Sequence, residues 1–311
     1  MKKTEVKQVV IDSDRSGQRI DNFLQRELDG IPRSRIYQML RKGEVRVNKG
    51  RIKQTYRLQA GDTVRIPPLF MEDAKSGPVV STKLAQMLLG AILYEDDSII
   101  VLNKPSGLSV HGGTGQKLGL IEAIRALEPR YEKLELVHRL DRETSGCLLL
   151  AKDLPSLRQL HTDMKSGEID KTYTALLMGQ LQRQSLRVDK PLSRTTKRAG
   201  ERIVGIDAQG KKAVTVFNRK KTFKKATLVE VDLLTGRTHQ IRVHSASIGH
   251  PVIADEKYGD KDTNQHFRQL GLRRLFLHAS ALRFRSPASG KKLNIKAPLD
   301  PQLLSILDGL E

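Results

Sequence analysis

The stretch Val137-His138-Arg139-Leu140-Asp141-Arg142-Glu143-Thr144-Ser145-Gly146-Cys147-Leu148-Leu149-Leu150-Ala151-Lys152 opens polar and closes apolar. A polar run that contains Gly reads as a loop. Cys147 to Ala151 reads as a buried strand, although periodicity alone does not separate a short apolar run from a helix segment. Asp141 then sits on a loop carried by a rigid strand, where catalytic groups concentrate. The plainer alternative is an ordinary turn in which the Asp141 carboxylate caps a backbone N–H.

Downstream, Leu157, Leu160, His161 and Met164 keep helical spacing until Gly167, and Lys171 to Gly179 reads as a strand. Upstream, Ile92 to Tyr94 and Ile99 to Leu102 flank the turn Glu95-Asp96-Asp97 as a hairpin, and Leu120 to Leu127 fits a short helix. Residues 183–225 are rich in Lys and Arg and show little periodicity apart from Val214 to Phe217. Thr227 to Leu233 alternates as a strand and runs into a helix expected from Thr238 to Gly249. Asp255 to Asp260 reads as a polar loop, and Leu275 to Ala279 and Leu293 to Ala297 as late strands. Strands with interspersed helices and no strict β-α alternation predict an α+β fold with a mixed, largely antiparallel sheet.

The front of the chain differs. Ile20, Phe23, Leu24 and Leu28 make one helix face, and Ile36, Met39 and Leu40 repeat the spacing after an N-cap at Ser34. Gly43 closes that helix, Glu44 to Gly50 alternates as a strand, and Thr63 to Ile66 suggests a last one. Between positions 31 and 60 there are nine Arg or Lys and a single acid, Glu44. A solvated face normally mixes signs, so this one reads as a phosphate-contacting surface. Its candidates are Arg33, Arg35, Arg41, Lys42, Arg46, Lys49, Arg51 and Lys53. The expected organisation is a lead-in over 1–15, a small basic unit over 16–70, a linker over 71–90 and a larger domain over 91–311.

Bulk properties constrain the partner. The 311 residues carry a formal net charge of +20 and a pI near 10.1, with 38% hydrophobic and 29% charged residues. Such an excess predicts a polyanion, nucleic acid by default. No apolar run approaches the ~18 residues of a membrane span, and no secretory leader is evident, so the cytoplasm is expected. The single cysteine, Cys147, rules out an internal disulfide and a Cys-based zinc cluster, and its apolar neighbours make it a core residue. His239 and His244 are five apart, about 140° on a helix and wrong for a shared metal. There is no nucleophile elbow, no P-loop and no His-Glu-x-x-His. Glu143 follows Asp141 by two residues, but nothing in the sequence places it in the same cleft. What remains is one carboxylate, Asp141, among many guanidinium groups. Such a carboxylate can stabilise or trap a sugar carbon that turns cation-like as its bond to a base breaks.

Two resemblances join these threads. Gly17 to Leu24, Ser34 to Tyr37 and Gly43 to Asn48 together resemble an S4 RNA-binding domain. His138 to Gly146 is similar to the signature of the RluA family of pseudouridine synthases. Lys171-x-Tyr173, Gly236 to His244 and Asn103 to Gly107 match that family's further motifs in order. The resemblance implies conversion of uridine to pseudouridine without cofactor or metal, on 23S ribosomal RNA at several sites, by a monomer. A single hairpin target in the same RNA stays open as the alternative. It implies Asp141 as nucleophile or sugar-deprotonating base, and Arg242 as its pair. It puts Tyr173 on the uracil, assisting proton removal at C5, and Arg139 where a flipped nucleotide leaves or as a fixer of the loop. A non-catalytic ribosome-assembly protein and an RNA N-glycosidase are the competing classes.

Overall fold

The computed structural model describes residues 2–28, 31–71, 80–112, 118–196 and 202–310. The chain divides into two units, Met1–Val79 and Val80–Glu311.

The first unit is built as β1 (Lys2–Lys3), β2 (Lys7–Val10), α1 (Ile20–Glu27), α2 (Arg33–Lys42), β3 (Arg46–Val47), β4 (Thr63–Ile66) and β5 (Phe70–Met71). β4 pairs antiparallel with β2 on one side and β3 on the other, and β1 pairs with β5. Phe23, Leu24, Ile36, Met39 and Val64 form the buried core, so the helical spacing read for both helices is the face they bury. Two expectations shift. The segment read as a lead-in contains β2, whose backbone is bound along the whole of β4. Helix α2 begins before Ser34: Pro32, with φ −58°, takes the cap position without a side-chain cap. Gly43 ends the helix with φ +69°, a left-handed turn that favours glycine.

The second unit runs α3 (Thr82–Gly90), β6 (Ile92–Glu95), β7 (Ile99–Lys104), α4 (Leu120–Arg125), β8 (Glu135–Leu136), β9 (Ser145–Ala151), α5 (Leu154–Ser166) and β10 (Asp170–Met178). It continues with β11 (Ser185–Asp189), β12 (Leu192–Thr196), β13 (Arg202–Ile206), β14 (Val214–Thr222), β15 (Ala226–Leu233), α6 (Gln240–Ser247), α7 (Lys261–Gln269), β16 (Leu277–Arg285), β17 (Lys292–Lys296) and α8 (Pro301–Asp308). The main sheet is ordered β11-β14-β15-β10-β16-β9-β7-β6, with β17 on β16 and β8 on β9. Every pairing in it is antiparallel except β9 with β16. All seven residues of β9 are buried, which is why it reads as a continuous apolar run instead of an alternating one.

Part of the expected linker is structured: Thr82–Gly90 is helix α3, capped by Ser81, whose hydroxyl accepts from the Leu84 N–H. Positions 72–79 of that linker lie outside the described residues. The region read as having little periodicity outside Val214 to Phe217 holds β11, β12, β13 and the rest of β14. β11 has only two apolar residues, Leu186 and Val188, and of these only Val188 is fully buried, so its alternation is too short to stand out. Helices α7 and α8 were not expected; α7 buries only Asn264 and Phe267. Among the described residues no helix is long and apolar enough to cross a membrane.

Candidate active site

The polar half of the opening stretch is a loop delivered into the start of β9, and both of its sides are tied down. Gly107 N–H donates to the Arg142 carbonyl at 2.9 Å, and Arg142 Nε returns a bond to the Gly107 carbonyl at 3.0 Å. Ser106 Oγ donates to the Glu143 carbonyl, and Leu149 N–H donates to His138 Nε2 at 3.1 Å. Beneath the loop lies Lys104, fully buried. Its ammonium donates to the carbonyls of Pro105, Leu108 and Arg142 at 2.8, 2.7 and 3.0 Å, using all three N–H groups. Burial, helped by Arg274, pushes Lys104 down to about 7. Gly146 closes the loop at φ +106°, and a Cβ there would stand 2.2 Å from the Ala279 carbonyl oxygen of β16. Only glycine lets the two backbones approach at the parallel seam.

Asp141 projects from this loop with its side chain 20% exposed. Its Oδ2 lies 3.8 Å from Arg242 Nη1 and 3.9 Å from His239 Nε2. Arg242 stands on α6, but its primary partner is Asp255. Nε and Nη2 make a two-pronged bond to that carboxylate at 2.6 and 2.7 Å, both groups being buried. Asp255 also accepts the backbone N–H groups of Lys257 and Tyr258, so its charge is fully engaged. The expected Arg242–Asp141 proximity is present, then, as the open end of a guanidinium anchored elsewhere.

The helix expected from Thr238 starts at Gln240, because His239 takes the left-handed conformation, φ +53° and ψ +19°. In a non-glycine residue that costs on the order of 1 kcal/mol. Gln240 holds the turn in place: its Oε1 accepts from Thr235 Oγ1 and Arg237 N–H, and its Nε2 donates to Val214 O and Thr215 Oγ1. His239 Nδ1 shares a 2.8 Å bond with Tyr258 OH, which also accepts the Val204 N–H. The Tyr258 ring lies edge-on to the His239 imidazole and 5.1 Å from the Arg242 guanidinium carbon. His244, the other half of the tested histidine pair, is a packing residue bonded to Thr215 and the Lys190 carbonyl.

Two cavities meet at Asp141. The outer, of about 730 Å³, is wide and polar and includes Glu143 and Lys257, so Glu143 does share the cleft. The inner, of about 260 Å³, reaches Tyr173 on β10 and Leu277 on β16. Arg139, Asp141, His239 and Arg242 line both. Tyr173 is nearly buried, and burial first, then the Asp141 charge, pushes its phenol far up. The structure thus brings Arg139, Asp141, Tyr173 and Arg242 around one space. Cys147 is buried in the core behind the loop, with its thiol pushed up to about 11 by burial. Asp255, Tyr258 and Lys104 complete the site without having been picked out in the sequence, and His239 joins it after being weighed there only as a metal ligand; Lys104 and His239 lie inside quoted motifs.

In the first unit the basic candidates divide. Arg33 pairs with buried Asp21 at 3.5 Å and Arg35 with Glu44 at 2.8 Å, so part of their charge is spent within the unit. Arg46 donates to the carbonyls of Gly43 and Lys49. Arg41, Lys42, Lys49, Arg51 and Lys53 are exposed and make no ion pair among the described residues.

Comparison with known proteins agrees with both units. Residues 98–247 match the family described as RNA pseudouridylate synthase, and residues 18–64 match the S4 domain. The chain is 51% identical over 307 residues to the ribosomal large subunit pseudouridine synthase C of Pasteurella multocida, covering 98% of this chain and 94% of that protein. It is 49% identical over 309 residues to the protein of the same name from Escherichia coli, covering 98% and 97%. Among solved structures it is similar to human RNA pseudouridylate synthase domain containing 4, with a TM-score of 0.61 and 27% identity over 73% of this chain and 95% of that one.

Proposed function

Because the chain belongs to the RNA pseudouridylate synthase family and carries an S4 domain in front, we propose that it isomerises uridines of large-subunit ribosomal RNA, at several sites, through Asp141. The observation that carries this is the position of the Asp141 carboxylate: on a pinned loop, facing Arg242, where the open outer cavity narrows to the inner one. A nucleotide swung out of its helix would set its sugar over Asp141 and its uracil in the inner cavity against Tyr173. Arg139, on the rim of both cavities, fits a role in filling the vacated place or steadying the loop.

In this reading the N1–C1′ bond breaks, the uracil turns while held, and C5 bonds to C1′. Asp141 acts on the sugar, either by attacking C1′ or by taking a sugar proton. Arg242 faces the carboxylate at 3.8 Å and keeps it aimed at the cavity. Extruding the base costs a few kcal/mol. Phosphate contacts from the exposed Arg41, Lys42, Lys49, Arg51 and Lys53 of the S4 domain would offset it. With a monomer and a cytoplasmic setting the scheme needs no further partner, and it invokes neither metal nor cofactor.

The test is tritium release from ribosomal RNA labelled at uridine C5, together with pseudouridine mapping in a strain lacking the protein. Asp141→Asn should abolish release while RNA binding persists. An active Asp141→Asn protein, or free uracil as the product, would overturn the scheme; free uracil would instead favour an N-glycosidase.

A further inference from the structure

Pseudouridine formation requires a proton to leave C5, and the reacting geometry limits where its acceptor can be. C5 ends up bonded to C1′, about 1.5 Å away, and C1′ is the carbon that sits against Asp141. The acceptor must therefore lie close to the Asp141 carboxylate. Among the described residues two charged or imidazole nitrogens lie within 4 Å of it, Arg242 Nη1 at 3.8 Å and His239 Nε2 at 3.9 Å. A guanidinium is not a proton acceptor in a protein, and an imidazole is. From this we infer that His239 Nε2 is the base that removes the C5 proton, and that Tyr258 is its positioning residue. The inference rests on the uridine-isomerising reading above.

Three features prepare His239 for that role. Its left-handed backbone, locked by Gln240, sends the ring into the space that both cavities share. Its Nδ1 is occupied by Tyr258 OH, whose oxygen is itself fixed by the Val204 N–H. With the ring proton on Nδ1, Nε2 offers its lone pair to the cavity. Its charge state is set by everything packed around it. Burial, Arg242 and Lys257 disfavour the imidazolium and outweigh Asp141 and Asp255, so the ring is held below the ordinary histidine range and waits neutral. Tyr173, the expected helper at C5, is a phenol kept protonated by burial and lacks a comparable lone pair. It is better suited to lie against the ring.

The step balances without another reagent. After C5 has joined C1′, the C5–H electron pair forms the C5=C6 double bond. The C6=N1 pair returns to N1, and the proton passes to Nε2. N1 then takes up a proton, from the imidazolium or from water. One proton has left carbon and one has arrived at nitrogen. The nearby Asp141 carboxylate stabilises the transient imidazolium.

The experiment compares the full-length protein with its His239→Gln, Tyr258→Phe and Tyr173→Phe variants, on ribosomal RNA carrying hydrogen or deuterium at uridine C5. His239→Gln should slow the reaction by about 10²- to 10⁴-fold, the range for loss of a general base, at unchanged RNA affinity and melting temperature. Deuterium should slow this variant more than it slows the wild type. The wild-type rate should fall as pH drops through the lowered histidine range, and that limb should be missing in His239→Gln. Tyr258→Phe, which keeps the imidazole and removes its anchor, should show the same isotope effect in weaker form. A His239→Gln protein with the wild-type rate would overturn the inference, as would an isotope effect that grows in Tyr173→Phe and not in His239→Gln. In either case an active wild type leaves the parent reading standing, whereas a wild type that releases no C5 tritium would sink the parent reading.

Discussion

Asp255→Asn should cripple a reaction whose substrate Asp255 does not touch. Asp255 and Arg242 form a buried two-pronged ion pair at 2.6 and 2.7 Å, while Asp141 faces the same guanidinium at 3.8 Å. At an effective dielectric near 20, unit charges at these separations attract by about 6 and about 4 kcal/mol respectively. Desolvation cancels much of this in the intact pair. Breaking the pair, however, leaves a buried charge uncompensated and costs about 3–5 kcal/mol. Asparagine keeps the shape and can still accept the Lys257 and Tyr258 N–H groups, so the loss falls on the Arg242 contact. Two results are expected. Urea unfolding should show a loss in that range, and turnover should fall at unchanged RNA affinity as Arg242 swings from its anchor toward Asp141. The double variant Arg242→Met/Asp255→Asn should be more stable than the sum of the singles predicts, by about 2 kcal/mol. Strict additivity, or an Asp255→Asn protein within ~0.5 kcal/mol of wild type, would refute the assignment of Asp255 as the anchor.

Gly146→Ala should destabilise by more than about 4 kcal/mol, since its Cβ would meet the β16 backbone at 2.2 Å; a variant that melts within a few degrees of wild type would contradict the packed seam. Acid should destabilise the protein before its carboxylates titrate. His138 is held down to about 4 by burial first and by Lys171 second, and His239, His244 and His278 are lowered as well. The unfolded chain binds these protons where the folded one does not. Stability is therefore lost as pH falls from ~6.5 toward 4, with His138 alone contributing up to about 3 kcal/mol. Unfolding midpoints at pH 7 and 5 check this, and equal midpoints would refute it. In the S4 domain, Arg41→Gln and Lys42→Gln should each reduce the slope of log affinity against log salt by roughly 0.7–0.9, and Arg35→Gln, already paired with Glu44, by less. Equal slopes for all three would remove the basis for dividing that patch.

The sequence was most legible where burial is regular. β9 is buried throughout, and β10 and β15 form long central pairings, so their apolar runs mark them. Legibility fails where an element buries little. β11 shows one fully buried residue, and α7 is a polar helix whose Phe267 alone carries apolar weight. It fails again for backbone conformation: nothing in Thr238-His239-Gln240 shows that His239 leaves helical geometry, because the cause is Gln240 reaching across to Val214 and Thr215. Lys104 is hidden for a third reason. A lysine reads as exposed, and its burial depends on three carbonyls drawn together by two loops far apart in the chain.

The site residues singled out in the sequence and those that only the structure singles out differ in kind. Arg139, Asp141, Tyr173 and Arg242 point into the cavities, and each sits in a stretch that can be recognised by itself. In the proposed scheme Asp255, Tyr258, Gln240 and Lys104 do not act on the substrate; they hold in place the groups that do. Asp255 and Tyr258 sit in a loop that reads only as polar, and their value appears once α6 has been laid beside it. This arrangement makes physical sense for a lone carboxylate. In the proposed reaction Asp141 needs a cation beside it, yet one not bound so tightly that its oxygens are unavailable to a sugar carbon. Arg242 satisfies both demands because Asp255 takes its two best donors and leaves Asp141 the remaining face at 3.8 Å. On the proposed reading the longer of the two distances is the working one, and the shorter sets it.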